Sequence, residues 1–330
     1  MSTGRQTKSI WRGRIFPTVE QWSLCFLCAV YAGSVRAAEP AVFHFAFSSS
    51  VLTDVNENDA KASIKVWAQS IATQQGVAIY PDVLVTPDVE TMNQALRAGK
   101  VDAAVLTLDD YASVSRDVAF SHLFCAVHGG KLTEEYVLLV HRASVIEQLA
   151  QLRGHELLVF KNPRAGLAEP WLDIQLMGSG QPAATAFFSR IERVPKLSKV
   201  VLPVFFRQAD ACLVTRRGFE TMCELNPQIG RQLRVIAGSP AFVPAMFCIR
   251  ADIQPTTADP VVANVRALHT TPAGLQILTI FEGERLEEIS PARLAESLNL
   301  LAEHARLAAA AEAVVARAAA GDSQPKGGSN

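Results

Sequence analysis

Beyond residue 40 the chain alternates short apolar runs with stretches of helical period, separated by turn residues. Val42-Phe43-His44-Phe45-Ala46-Phe47 alternates and predicts a first strand, closed by Ser48-Ser49-Ser50. Ile64, Trp67 and Ile71 recur at helical spacing and predict a helix over 59–75, with Gly76 as its stop. A strand follows over 83–85, and Asp88 opens a helix through Met92, Leu96 and Arg97 that ends at Gly99. The third strand, 101–106, leads into Thr107-Leu108-Asp109-Asp110-Tyr111. This β-α-β-α-β order predicts a parallel, doubly wound sheet.

Two further strands are expected at 120–127 and 136–141, around the turn His128-Gly129-Gly130. Ser144 reads as the cap of a short helix ending near Gly154, and 156–160 as a strand. Asn162-Pro163-Arg164-Ala165-Gly166 opens a helix over 167–177; Gly178 to Pro182 breaks it, and another helix is expected over 183–191. At 199–207, Val200, Val201, Val204, Phe205 and Phe206 have strand propensity, whereas Pro203 argues against a central strand. Gln208-Ala209-Asp210-Ala211 precedes a buried strand over 212–215, with Thr215 as N-cap of a helix that Asn226-Pro227 ends. A strand over 233–236 finishes at Gly238-Ser239-Pro240, and 246–250 leads back toward the first sheet. Two or three helices are expected over 259–281. Residues 291–320 read as one alanine-rich helix with Leu294, Leu298, Leu301 and Leu307 near one face.

Composition changes this picture little. With 49% hydrophobic and 19% charged residues, 330 residues suffice for one large or two modest packed domains. A net charge of −1 and the lack of a basic run beyond residue 40 exclude a nucleic-acid partner. The first residues carry different information. Arg5, Lys8, Arg12 and Arg14 precede the short apolar stretch 22–32, and Val35-Arg36-Ala37 suits cleavage after Ala37. An exported, periplasmic protein is expected, with an uncleaved anchor as the competing reading. Cys125, Cys212, Cys223 and Cys248 remain after cleavage; they read as small hydrophobes, and a bridge among them stays open.

Two stretches carry a resemblance. One is Gln208-Ala209-Asp210-Ala211 with Phe219-Glu220-Thr221-Met222, Glu224-Leu225-Asn226-Pro227-Gln228 and Gln232-Leu233-Arg234-Val235-Ile236. The other is Ala95-Leu96-Arg97-Ala98-Gly99-Lys100-Val101-Asp102-Ala103-Ala104-Val105, followed by Tyr111. Together they resemble periplasmic solute-binding proteins of the phosphonate-binding type, which serve ABC importers, and the resemblance covers about 43–300. It implies a type 2 periplasmic-binding-protein fold: α/β, two lobes, each a doubly wound and mostly parallel sheet with flanking helices, joined by hinge strands, plus a long C-terminal helix. The implied division is a signal peptide at 1–37, lobe one at 38–140, lobe two at 141–240, a return to lobe one with C-terminal helices at 241–307, and an alanine-rich helix end with a disordered tail at 308–330. The resemblance also implies that 199–207 is a kinked helix.

The chemistry points to binding. Seven histidines are scattered, and there is no HExxH, GxSxG or phosphate-loop motif, so neither an enzyme, a cofactor nor a metal is expected. Helix N-termini at the ends of strands favour oxyanions. The candidate cleft residues are Ser48, Ser49, Ser50, Thr107, Asp109 and Tyr111 in lobe one. In lobe two they are Asn162, Arg164, Ala165, Asp210, Thr215 and Ser239. Thr215 and Ser239 also read as a helix cap and a turn residue, and Asp210 as the anchor of its own loop. The resemblance makes Tyr111 a ligand contact and lets Asp210 receive a ligand amine. One departure stands out: Lys161-Asn162-Pro163-Arg164-Ala165-Gly166 has no hydroxyl where the family carries a serine/threonine-rich loop, leaving the Arg164 fork to compensate. The expected partners are a small, phosphate- or phosphonate-like anion and a membrane permease, with the protein itself a monomer. The alternative is a sensor or accessory protein that signals to a membrane partner, with the alanine-rich helix as its supporting feature.

Overall fold

The structure, a computed structural model, describes residues 42–52, 56–75 and 83–321. The signal peptide expected at 1–37, the helix stop at Gly76 and the tail beyond 321 lie outside the described residues. Strand β1 (Phe45–Ser48) opens the first sheet, and helix α1 (Glu57–Gln75) packs Ile64, Trp67 and Ile71 against it. β2 (Leu84–Thr86) leads to α2 (Val89–Arg97), where the Asp88 carboxylate accepts from the Thr91 N–H at 2.7 Å. Gly99 ends that helix at φ 68°, a left-handed conformation that favours glycine. β3 (Ala103–Thr107) runs into α3 (Leu108–Val114), capped by Thr107, and β4 (Phe120–Val127) completes the outward path.

Residues 128–135 cross to the second sheet. There β5 (Tyr136–His141) is buried along almost its whole length, and β6 (Glu156–Phe160) follows. The helix expected between Ser144 and Gly154 is a 3-10 turn over Leu149–Leu152. The reason is local: the Ser144 hydroxyl oxygen accepts from the N–H only two residues on, at Ile146, which makes a turn instead of a cap. A 3-10 turn over Pro163–Ala165 precedes α4 (Ala168–Gly178). The helix expected over 183–191 stops after one turn, α5 (Ala184–Phe187), and the chain extends as β7 (Arg190–Val194). That strand pairs with β6 on the sheet edge, mostly exposed, so it shows no apolar alternation by which to recognise it.

Helix α6 (Leu197–Phe205) contains Pro203 yet holds, because Val200, Val201 and Val204 are fully buried and the Pro203 carbonyl accepts from Gln208 beyond the helix end. β8 (Ala211–Thr215) leads into α7 (Arg216–Leu225). Asn226 both ends α7 and caps α8 (Pro227–Gln232), with proline at the first helical position. After β9 (Leu233–Gly238), residues 239–244 cross back to β10 (Ala245–Arg250). α9 (Pro255–Arg266), α10 (Pro272–Ile280), β11 (Arg285–Ile289) and α11 (Ala295–Gly321) finish the chain.

The sheet orders are β11-β4-β10-β3-β1-β2 and β7-β6-β8-β5-β9. In each, one trio is parallel (β2-β1-β3, and β7-β6-β8), and the remaining pairings are antiparallel. The sheets are therefore mixed, not mostly parallel. The reason is that each crossing segment delivers its strand, β10 or β5, from the opposite direction. The two crossings bond to each other: the Glu134 and Phe242 backbones exchange N–H···O bonds of 2.8 and 2.9 Å. α11 packs on α3 of lobe one and α4 of lobe two, and its buried Ser297 hydroxyl accepts from the Val243 N–H in the returning segment. His304 Nε2 lies 3.0 Å from Asp173 Oδ2 on α4. Leu294 and Leu300 are buried, while 309–314 is exposed. Among the described residues the cysteines, Cys125, Cys212, Cys223 and Cys248, are unbridged. Among the described residues no helix is long and apolar enough to cross a membrane.

Candidate functional site

The first sheet places β1 and β3 side by side, so the residues just after them meet. Ser48 and Ser50 both donate to one oxygen of Asp110, at 2.6 and 2.7 Å. The hydroxyls expected to face a solute oxyanion are thus turned to the protein's own carboxylate. Ser49 donates to the Pro87 carbonyl, and the Thr107 hydroxyl oxygen accepts from the Asp110 N–H. Asp109 is exposed at the start of α3. Tyr111 is buried, its ring 5.7 Å from that of Phe120, and burial raises its phenol's pKa.

In lobe two, Asn162 caps the turn before α4 by accepting from the Arg164 N–H, and Ala165 is buried beneath it. Arg164 is the group that leaves its own lobe. Its Nη2 donates to Glu282 Oε2 at 2.6 Å, beyond α10 in lobe one, and its Nη1 lies 4.0 Å from Glu134 on the outward crossing. Its carbonyl accepts from the Tyr136 hydroxyl, which fixes the turn on β5. The 3-10 turns over Ser49–Leu52 and Pro163–Ala165 touch, so the Arg164 turn and the serine turn face each other across the lobes. Asp210 lies elsewhere: it precedes β8, accepts from the Glu156 N–H and pairs with His155, at the other end of the strand from Thr215. Thr215 caps α7 by accepting from the Gly218 N–H. Ser239 accepts from the Tyr136 N–H at 2.7 Å and donates to the Pro240 carbonyl, bracing the return crossing.

His128, Glu134 and Glu282 join the Arg164 cluster, and only structure reveals them. The one signal along the chain is the pair Gly129-Gly130, whose φ values of 56° and 72° turn the crossing so that its N–H groups reach Glu284. His128 Nδ1 donates to the Glu282 carbonyl at 2.7 Å. Arg164 Nη1 stands 3.1 Å from the same nitrogen; as both are donors, they cannot bond each other while that bond is made. Burial, and then the Arg164 charge, lower the His128 pKa from 6.5 to about 4. Burial raises the pKa of the Glu134 carboxyl against the pull of Arg164 and Arg217. Arg217 Nη1 is buried with no hydrogen-bond partner among the described residues.

The depressed histidine has a pH consequence. Between 6.5 and 4 the unfolded chain binds a proton at His128 that the folded chain refuses, so stability falls as pH drops through that window. Allowing for its partial exposure, the loss is about 2 kcal/mol. Urea titrations at pH 7 and pH 4 should therefore show wild type losing about that much more than His128→Asn. Equal losses would place the histidine's titration outside this contact.

A cavity of about 210 Å³ runs from the Arg164 cluster into lobe one. Phe45, Phe47, Phe124 and Phe247 form one wall, all from one face of the sheet, and Trp67, Leu278 and Phe281 come from the helical side. Its polar groups, His128, Asn162, Arg164 and Glu282, gather where the lobes meet. Among the described residues no cluster of histidine, cysteine, aspartate or glutamate could hold a metal ion.

Comparison with known proteins agrees with this architecture. Residues 50–294 match the family described as "ABC transporter, phosphonate, periplasmic substrate-binding protein". Among solved structures, one from Xanthomonas citri bound to ATP superimposes with a TM-score of 0.59 at 18% identity, over 81% of this chain and 98% of that one. A binding-protein component of an ABC phosphonate transporter from Pseudomonas aeruginosa gives 0.56 at 16% identity, over 82% and 89%. A Prochlorococcus marinus PhnD protein in complex with methylphosphonate gives 0.54 at 12%, over 79% and 97%. No curated protein sequence matches. At such identities the solved structures speak for the fold alone, a type 2 periplasmic-binding-protein fold. With the family match spanning most of its length, the chain belongs to the phosphonate-type periplasmic substrate-binding proteins of ABC transporters.

Proposed function

We propose that this protein captures a small organic anion between its lobes by hinge closure and delivers it to a membrane permease. In this reading lobe one is 38–135 with 241–307 and lobe two is 136–240, the boundary lying ahead of β5, which belongs to the second sheet, instead of behind it at 140, and residues 1–37 direct export. The observation that carries it is Arg164, a lobe-two guanidinium paired across the junction with the exposed carboxylate of Glu282. A solute acid can take the place of that carboxylate and keep the fork satisfied. The unpartnered Nη1 of Arg217, near Glu134 and His128, adds positive potential to the same crossing. Asp110 narrows the class. A dianionic headgroup at Ser48 and Ser50 would meet a carboxylate already holding both hydroxyls, so the charge belongs on Arg164 and a singly charged acid fits best. The test is a thermal-shift screen of the purified protein against phosphate, phosphite, phosphonates, sulfonates, sulfate and carboxylates. At least one organic acid should raise the unfolding midpoint with increasing concentration, and Arg164→Ala should lose the response. If no anion shifts the midpoint, the capture reading falls.

A further inference from the structure

We propose that the cavity beside Arg164 is a tail pocket, which makes the solute an amphiphile with one acidic group and an apolar chain or ring. The inference rests on the capture reading for the acidic end and on the cavity for the tail. Packed interiors leave few voids larger than a water molecule, whereas ligand sites are concave, largely apolar and supplied with a few placed polar groups. This cavity has that form. Of the residues lining it, only His128, Arg164 and Glu282 carry ionisable side chains, and hydrogen bonds and the ion pair gather all three at one end. Apart from Asn162, which sits at the same end, the remainder is phenylalanine, tryptophan, methionine and aliphatic surface. A small hydrated anion on Arg164 would leave water against those walls; an acid with a hydrocarbon tail would replace that water with contacts.

Size sets the chain. About 210 Å³ accommodates about seven groups of roughly 30 Å³, the share of one water molecule, so the unbranched tail of an acid of about eight carbons, its carboxyl on Arg164, or a single substituted ring fits. A two-chain lipid does not. Each methylene moved from water into such a pocket is worth two- to fourfold in affinity.

Calorimetric titration of the whole protein with straight-chain carboxylates from acetate to decanoate, and with neutral 1-octanol, tests this. Affinity should climb with each added methylene to about eight carbons and then level off. Ala126→Phe and Ala245→Leu, which put bulk into the cavity from β4 and β10, should each flatten that climb. A flat wild-type series in which short acids still need Arg164 would overturn the tail pocket and leave the capture reading standing. Octanol and octanoate binding alike, indifferent to Arg164→Ala but lost in Ala126→Phe, would keep the pocket and overturn anion capture. No binding by any member would overturn both. Should the filling variants fail to fold, the wild-type series and the octanol titration decide the matter.

Discussion

Gly274→Ala should lower the unfolding midpoint by about 4–5 °C, although helix propensity favours alanine there. Gly274 lies in the first turn of α10, where alanine would ordinarily gain about 1 kcal/mol over glycine. A Cβ at this position would stand 1.9 Å from the Leu268 carbonyl oxygen, 2.7 Å from its carbon and 2.8 Å from the Thr271 hydroxyl. The obstacle is mainly backbone, in the 3-10 turn that joins α9 to α10, so no rotamer change relieves it. Either the turn or the helix must move, and α10 carries Ile277 and Leu278 into the cavity wall. Overpacking of this kind costs about 3 kcal/mol, and an unfolding entropy of about 0.7 kcal/mol/K for a chain of this size gives the stated shift in midpoint. Circular dichroism melts of the two proteins measure it. A midpoint equal to or above wild type would mean that α10 sits farther from the turn than described.

Arg164→Ala should reduce affinity for the captured acid by ten- to a hundredfold, and it should lower stability as well. Charge-assisted hydrogen bonds are worth about 1.5–3 kcal/mol, which sets the first figure. The second comes from Glu134, only 5% exposed and 4.0 Å from the guanidinium. With the arginine gone, that carboxyl keeps only Arg217 and Lys131 as counter-charges and is driven further toward its neutral form. The two effects separate in the double variant. Adding Glu134→Gln to Arg164→Ala should recover most of the lost stability and none of the lost affinity. Arg164→Lys should behave like alanine in binding, because a single ammonium cannot span the positions that the fork reaches toward Glu282 and Glu134. Recovery of affinity in the double variant would reassign Arg164 from solute contact to support of the crossing.

Much of the fold is legible along the chain, and particular residues show why. β4, β5 and β6 coincide with the expected strands end to end, because each is an apolar run bounded by turn residues or charge. Pro203 left 199–207 undecided from local content, and buried valines settle it as helix. β7 and β11 escape notice. Arg190-Ile191-Glu192-Arg193-Val194 and Arg285-Leu286-Glu287-Glu288-Ile289 are charged edge segments whose conformation comes from pairing with a neighbour far away in sequence. The candidate site divides on similar lines. Arg164 announces itself as a cation in a loop without hydroxyls. Whether Asp210 precedes or follows its strand decides which end of the lobe it occupies, and it precedes. His128, Asp110 and Glu282 gain their meaning from partners 36 to 154 residues away, which no local pattern carries: His128 stands 36 from Arg164, Glu282 stands 154 from His128 and 118 from Arg164, and Asp110 stands 62 from Ser48.

The bond exchange between Glu134 and Phe242 has a mechanical meaning. Two free linkers would let the lobes shear, tilt and rotate independently. Two linkers stitched together at one residue pair form a short ribbon, stiff against sliding but compliant in torsion. If the lobes close as proposed, their motion would follow a single angular coordinate, and a permease reading that angle at the surface would learn whether the interior is occupied without touching what it holds.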